Sequence, residues 1–192
     1  MVIDDLADRK HQCDILLDQT FGRQQEDYSG FTTKGCELLL GSKYALLRPE
    51  FSKWRPYSLK RRGKPEFKQL LINMGGVDVN NITENVLDEL KLCNLPNDTN
   101  ITIVMGGSAP HLESVKSKAI TLLYKTEVKV DVDNMAEIMA NTDIAIGAAG
   151  ATTWERCCLG LPTIQIVIAE NQLFSAEVLA CHNIVKLAKE IK

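Results

Sequence analysis

Between Gly147 and Glu155 the chain sets a run of small residues directly before a Thr-Thr-x-Glu helix start. Gly147 to Ala151 carry almost no side chains, so a ligand can approach the backbone closely there. A helix beginning at Thr152 would aim unpaired N–H groups and the positive end of its dipole at the same spot. Phosphate is the natural guest of such a turn. Glu155, one helical turn in, offers a carboxylate to sugar hydroxyls. The same residues also spell a capping box, with Thr152 and Glu155 closing the helix start on themselves. Small residues before a helix can also serve only to let strand and helix pack. The spacing alone leaves these readings level.

The unit that must hold these residues runs from Asp143 to Gln172. The apolar run Ile144-Ala-Ile leads into the turn and helix, Gly160-Leu-Pro stops the helix, and Ile164-Gln-Ile-Val-Ile follows. That pattern is a β-α-β unit with buried parallel strands. Gln69 to Met74, Ile101 to Met105 and Val128 to Val130 read as further strands, and Ile184 to Leu187 as a sixth. Helices are expected from Asn81, boxed with Glu84, to about Leu92, and from Ser108 with Pro110 in its first turn. Met135 to Ala140 and Gln172 to Cys181 complete the helical set. Strands alternating with helices over residues 67–192 predict an α/β fold with a doubly wound parallel sheet. Ligands of such sheets sit outside the carboxyl ends of the strands, at the switch point. Gly75-Gly76, Gly106-Gly107 and the turn 147–151 all fall at strand carboxyl ends. No G-x-G-x-x-G follows the first strand, and the absence of a G-x-x-x-x-G-K-[ST] loop excludes a P-loop NTPase.

The first third of the chain is irregular by comparison. Val2 to Leu6 reads as a strand end entering an acidic loop, and Cys13 to Asp18 as a second strand. Two short strands without a helix of useful length cannot bury both faces of a sheet. Residues 1–37 are therefore expected to be the remnant of a separate lobe. Residues 38–66 read as an inter-lobe linker, apolar and extended before Pro49, then rich in Lys and Arg from Ser52 to Lys64 as a solvated surface.

Composition bounds the function. Of 192 residues, 45% are hydrophobic and 24% charged, and the net charge of −3 gives no reason to expect a nucleic-acid partner. No apolar run reaches membrane-span length and the N-terminus is no signal peptide, so no membrane partner and a cytoplasmic location are expected. Six cysteines without a C-x-x-C pair read as reduced thiols, and three scattered histidines argue against a structural metal. No cofactor is expected.

Taken together, the small-residue turn, Thr152-Thr-x-Glu155, Gly160-Leu-Pro and Glu170-Asn-Gln172 resemble the nucleotide-diphosphate half of GT-B glycosyltransferases. Asp4-Asp-Leu-Ala-Asp-Arg9, Cys13 to Gln19, Leu38 to Phe51 and Met74 to Asn81 are more similar to the UDP-sugar hydrolases of pseudaminic acid biosynthesis, relatives of the lipid II N-acetylglucosaminyltransferase. The resemblance covers most of the chain. It implies a GT-B-type C-terminal Rossmann-like domain and metal-independent hydrolysis of UDP-2,4-diacetamido-2,4,6-trideoxy-β-L-altropyranose to free sugar and UDP. On matching positions it implies that Glu155 holds the ribose and that Gly150, Ala151 and Thr152 present backbone donors to the diphosphate. Val132 and Met135 would flank uracil, while Gly75, Gly76 and Asp78 would line the cleft floor. Arg48 would offset diphosphate charge, Gln172 would reach the sugar, and Asn171 and Tyr44 would stand nearest the chemistry. That family's base is a histidine in a Gly-x-Gly-His loop, which this sequence lacks. His11, His111 and His182 have the wrong surroundings for the role, and His11, beside Asp5 and Asp8, is expected to be a surface or ion-paired histidine. The chain is thus expected to be a C-terminal portion, inactive alone, with the missing N-terminal lobe as a partner in trans. A glycosyltransferase fragment and a non-catalytic UDP-sugar-binding module are the alternatives.

Overall fold

A computed structural model describes residues 1–64 and 66–188. Nine strands form two parallel sheets. The smaller holds β1 (Val2–Ile3), β2 (Ile15–Asp18) and β3 (Glu37–Leu40) in that order. The larger holds β4 (Gln69–Asn73), β5 (Asn100–Met105), β6 (Lys125–Val130), β7 (Ile144–Ala148), β8 (Thr163–Ile166) and β9 (Lys186–Leu187). Its order, β6-β5-β4-β7-β8-β9, is the doubly wound one, with the switch point between β4 and β7.

The central strand shows why the large sheet forms. Leu70, Leu71 and Ile72 are buried on both faces, as a continuous apolar run in a parallel sheet must be. Leu70 and Ile72 join Ile101, Ile103, Val86, Leu87 and Leu90 on one side, where α2 (Ile82–Leu92) and α3 (Leu112–Ala119) pack. Leu71 faces the other side with Phe51, Met135, Met139, Ala145 and Leu159, beneath α1 (Pro49–Arg62), α4 (Met135–Ala140) and α5 (Thr152–Cys158). The last helix, α6 (Leu173–Cys181), packs Leu179 against Trp154 and Val185.

The basic segment folds mostly into α1, where Lys53, Arg55 and Lys60 are exposed as expected, while Arg61 and Arg62 are partly buried. Arg62 donates from Nε to the Leu159 carbonyl at 3.0 Å, and from its two terminal nitrogens to Thr142 O at 2.9 Å and Met139 O at 3.1 Å. Ser58 Oγ donates to Leu159 O at 2.7 Å, and Arg61 pairs with Asp143 at 2.5 Å. Cations thus meet the carbonyl ends of α4 and α5, where unsatisfied acceptors and negative dipole ends lie. Composition gave no warning, because the pattern that matters is which carbonyls the arginines reach.

Two helix starts also differ from expectation. The capping box at Asn81 does not form: Asn81 is left-handed at φ 55°, and Asp78 accepts from the Ile82 and Thr83 N–H groups, both at 2.9 Å. α3 begins at Leu112, because two successive turns, Ala109 N to Gly106 O and Leu112 N to Ala109 O, take up Ser108 to His111 first.

In the small sheet, β3 begins within the stretch read as remnant and continues into the expected linker, pairing Leu38 with Leu16. Two carboxylates, Asp4 and Asp18, are buried where β1 and β2 end, each 2.9 Å from the Tyr28 hydroxyl. Arg23 Nε donates to Asp18 at 2.6 Å and Arg9 to Asp4 at 3.1 Å, so the buried charges are met by cations. His11 Nε2 lies 3.5 Å from the Asp4 carboxylate rather than beside Asp5 or Asp8.

Candidate functional site

The turn after β7 lies at the carboxyl end of the switch-point strand, as the doubly wound order requires. Ala149 N donates to Ile166 O at 2.9 Å, which ties the turn to β8. Past it the backbone opens. Among the described residues, the N–H groups of Gly150, Ala151 and Thr152 find no acceptor, while Thr153 N and Trp154 N bond back to Gly150 O and Ala151 O. Three adjacent donors are therefore left for water or a ligand.

The capping-box reading of Thr152 and Glu155 is corrected by the same geometry. Ala151 stands at the N-cap without a side-chain cap bond, and Thr152 Oγ1 accepts from Arg156 Nη1 at 3.0 Å. The Glu155 carboxylate accepts no hydrogen bond from any described residue. Burial raises its pKa above the ordinary 4.5, the positive charges of Arg48 and Arg156 work against that rise, and Glu50 adds to it. A half-buried carboxylate without a donor is a group prepared to accept bonds from a hydroxylated ligand.

A cavity of about 210 Å³ opens beside this turn. It is lined by Ala149, Gly150, Ala151, Trp154, Asn171, Gln172, Phe174 and Ser175, together with Asp5 after β1 and Gln19 and Thr20 after β2. Gln172 is anchored through its Oε1, which accepts from Ile168 N at 3.1 Å, and a Cβ added at Gly150 would lie 3.7 Å from its Nε2. Asn171 sits inside a short 3-10 turn, Glu170–Gln172, capped by Ala169, so its side chain is not spent on a cap.

The remaining expected residues divide. Arg48 lies close enough to Glu155 to act on its pKa, and its Nη2 pairs with Glu50 at 3.0 Å. Gly75 has φ 91°, a left-handed turn at the end of β4, and Gly76 O accepts from Gly106 N at 2.8 Å, so two glycine turns close on one another. A Cβ at Gly106 would stand 2.4 Å from that carbonyl oxygen, which gives this glycine a packing reason. Asp78 is buried with both oxygens on the α2 N-terminus, so its expected place on the cleft floor is corrected to a helix cap. Met135 is 8% exposed and belongs to the core, while Val132 packs at the rim of that cluster. Tyr44 is not brought to Asn171: it lines a separate cavity with Gln25, Cys36 and Lys43, whose ammonium lies 4.8 Å from its ring centre.

Sequence reasoning missed Asp5, Gln19, Thr20, Phe174 and Ser175 as cavity walls, and it missed Arg156. The first three come from the lobe read as a remnant, and no local spacing announces that they line a cavity with Gly150. Arg156 directly follows Glu155, and its full burial is a property of packing.

A doubly wound parallel sheet with its crevice at these turns defines a GT-B-type, Rossmann-like α/β protein. Residues 70–187 match the Glycosyltransferase family 28 C-terminal domain, and the chain belongs to that family. It is 32% identical over 163 residues to Uncharacterized protein MJ1062 of Methanocaldococcus jannaschii, covering 83% of this chain and 33% of that protein. It is 28% identical over 172 residues to the UDP-2,4-diacetamido-2,4,6-trideoxy-beta-L-altropyranose hydrolase of Campylobacter jejuni, covering 90% of this chain and 59% of the relative. The crystal structure of Acinetobacter baumannii MurG superposes with a TM-score of 0.62 at 20% identity, over 91% of this chain and 52% of that one, a likeness of fold. The chain thus spans between a third and three fifths of these two curated relatives. No described helix is long and apolar enough to cross a membrane.

Proposed function

We propose that the chain is the UDP-binding part of a UDP-sugar hydrolase of pseudaminic, or nonulosonic, acid biosynthesis. The observation that carries this reading is the pairing of three free backbone donors at Gly150, Ala151 and Thr152 with an unbonded Glu155 carboxylate one turn away. The donors suit a diphosphate and the carboxylate suits a ribose diol. The likeness to the Campylobacter hydrolase over 90% of this chain supports the choice of sugar nucleotide and reaction. In the reaction, water oxygen bonds to the anomeric carbon, the bond to the diphosphate oxygen breaks, UDP departs with the electron pair, and the proton shed by the water passes to solvent or to the departing phosphate. Backbone donors meet the charge that grows on UDP, so no metal is needed. Val132 flanks the uracil, with the rim of Met135 behind it, and Gly75 and Gly76 line the cleft floor. Arg48 offsets phosphate charge, and Asn171 and Gln172 reach toward the sugar from the cavity wall. Tyr44 would need to act from its neighbouring cavity.

The family itself supports a second reading, glycosyl transfer, in which the same half binds UDP and a sugar acceptor replaces water. The two separate in one assay. The chain is incubated with the UDP-sugar, alone and together with the part of the Campylobacter relative that it does not span. Hydrolysis predicts free reducing sugar and UDP in equal amounts with no acceptor present. Release of UDP only on adding a sugar acceptor would establish transfer instead, and tight binding without turnover would leave a binding module.

A further inference from the structure

Among the described residues, no carboxylate forms an ion pair with Arg156. It is 2% exposed, and its partners are all neutral: Thr152 Oγ1 at 3.0 Å, Thr153 Oγ1 at 3.2 Å and the Ala148 carbonyl at 2.7 Å. Its Nε is buried without a partner among the described residues, as are Asn73 Oδ1 at the end of β4 and Gln165 Oε1 on β8. Burial pushes its pKa down to about 10, against the raising effect of Cys157 and Glu155. A buried cation held only by dipoles is expensive, and an apolar side chain of the same volume would fill the space without that cost.

The place of the charge is as telling as its burial. The guanidinium holds Ala148 and Thr152, the two ends of the turn whose N–H groups are free. A Cβ on Gly147 would stand 2.5 Å from Arg156 Nη1, so the glycine is what admits the guanidinium under the turn. α5 has only seven residues, and so short a helix supplies little dipole of its own.

We propose that Arg156 is a positioning residue whose missing counter-charge is the diphosphate of the bound nucleotide, held through the Ala148–Thr152 turn. The inference rests on the nucleotide-binding reading above. Charge acts through the low-dielectric interior onto the anion, and the side chain fixes the donors without touching the ligand. Glu155, read above as the ribose acceptor, is the adjacent residue and feels the Arg156 charge, so the variants are compared at alkaline pH, where its carboxylate is ionised in each.

The test compares UDP with uridine, which lacks the phosphates, by calorimetric titration of the wild-type chain, Arg156→Met and Arg156→Lys. Arg156→Met is expected to weaken UDP about tenfold or more while uridine changes less than about twofold. Arg156→Lys, which keeps the charge and loses the fork, should fall between. Equal losses for UDP and uridine would show that Arg156 only holds the fold of the site, and unchanged UDP affinity in Arg156→Met would likewise overturn the inference. Should Arg156→Met fail to fold, Arg156→Lys is judged by the same two-ligand comparison. A wild-type chain that binds uridine as tightly as UDP overturns this inference alone. One that binds neither overturns the nucleotide reading as well.

Discussion

Glu155 and Thr152 look alike in sequence as halves of a cap, and the structure separates them. Thr152 is occupied by Arg156 and Glu155 is left without a donor. Two consequences follow from the carboxylate's raised pKa, which burial causes and Arg48 and Arg156 partly oppose. In the free chain, folding favours the protonated form. That contribution is present below the unfolded pKa and is lost as pH rises through the folded one. Glu155→Gln should therefore melt at or above the wild-type temperature at neutral pH in a thermal scan. In the complex the sign reverses, because ribose hydroxyls donate to the ionised form. UDP affinity should weaken as pH falls through the raised pKa, and the Glu155→Gln variant should bind weakly with a flatter pH profile. Titrations at several pH values read both effects. The spacing made Glu155 visible as a candidate, but what distinguishes ligand from cap is its burial without a donor, with Arg48, more than one hundred positions away in sequence, adding its charge.

At the scale of elements, the six strands of the large sheet were legible because period and punctuation agree. Gln69 to Asn73, Asn100 to Met105 and Ile144 to Ala148 are apolar runs bounded by small or turn residues, and Met135–Ala140 is found as expected. What escaped was chemistry that depends on a neighbour. Asn81 looks like a cap, yet Asp78 reaches the first N–H groups of α2 from a left-handed position at φ 44°. Asp78→Ala should cost about 1–2 kcal/mol in a denaturant melt, while Asn81→Ala should remove no cap. Gly147→Ala places a methyl group 2.5 Å from Arg156 Nη1 and 3.2 Å from Asn73 O, and should destabilise the chain by about 1–3 kcal/mol. The same variant should disturb the turn and weaken UDP binding, which a titration alongside the melt would show. In α1 the basic residues are mostly exposed as expected, but Arg62 looks like surface charge until the carbonyl ends of α4 and α5 are placed beside it.

For the whole molecule, the first residues are more than an appendage, because Asp5, Gln19 and Thr20 line the same cavity as Gly150. Their sheet depends on Tyr28, whose hydroxyl lies between the buried Asp4 and Asp18 carboxylates. Tyr28→Phe removes that donor and should cost about 1–3 kcal/mol, with faster amide hydrogen exchange in β1 and β2 than in β4 and β5. The doubly wound order of the large sheet puts the site at one switch point, and the division of the chain into a remnant, a linker and a nucleotide domain remains a proposal. The central claim, that the turn at Gly150 and the carboxylate of Glu155 form a UDP site, is met most directly by calorimetric titration of the chain with UDP beside Glu155→Ala. Saturable binding that the variant weakens by about tenfold or more is expected. Equal binding by both would contradict the ribose role of Glu155, and no binding by a well-folded wild-type chain would contradict the site itself.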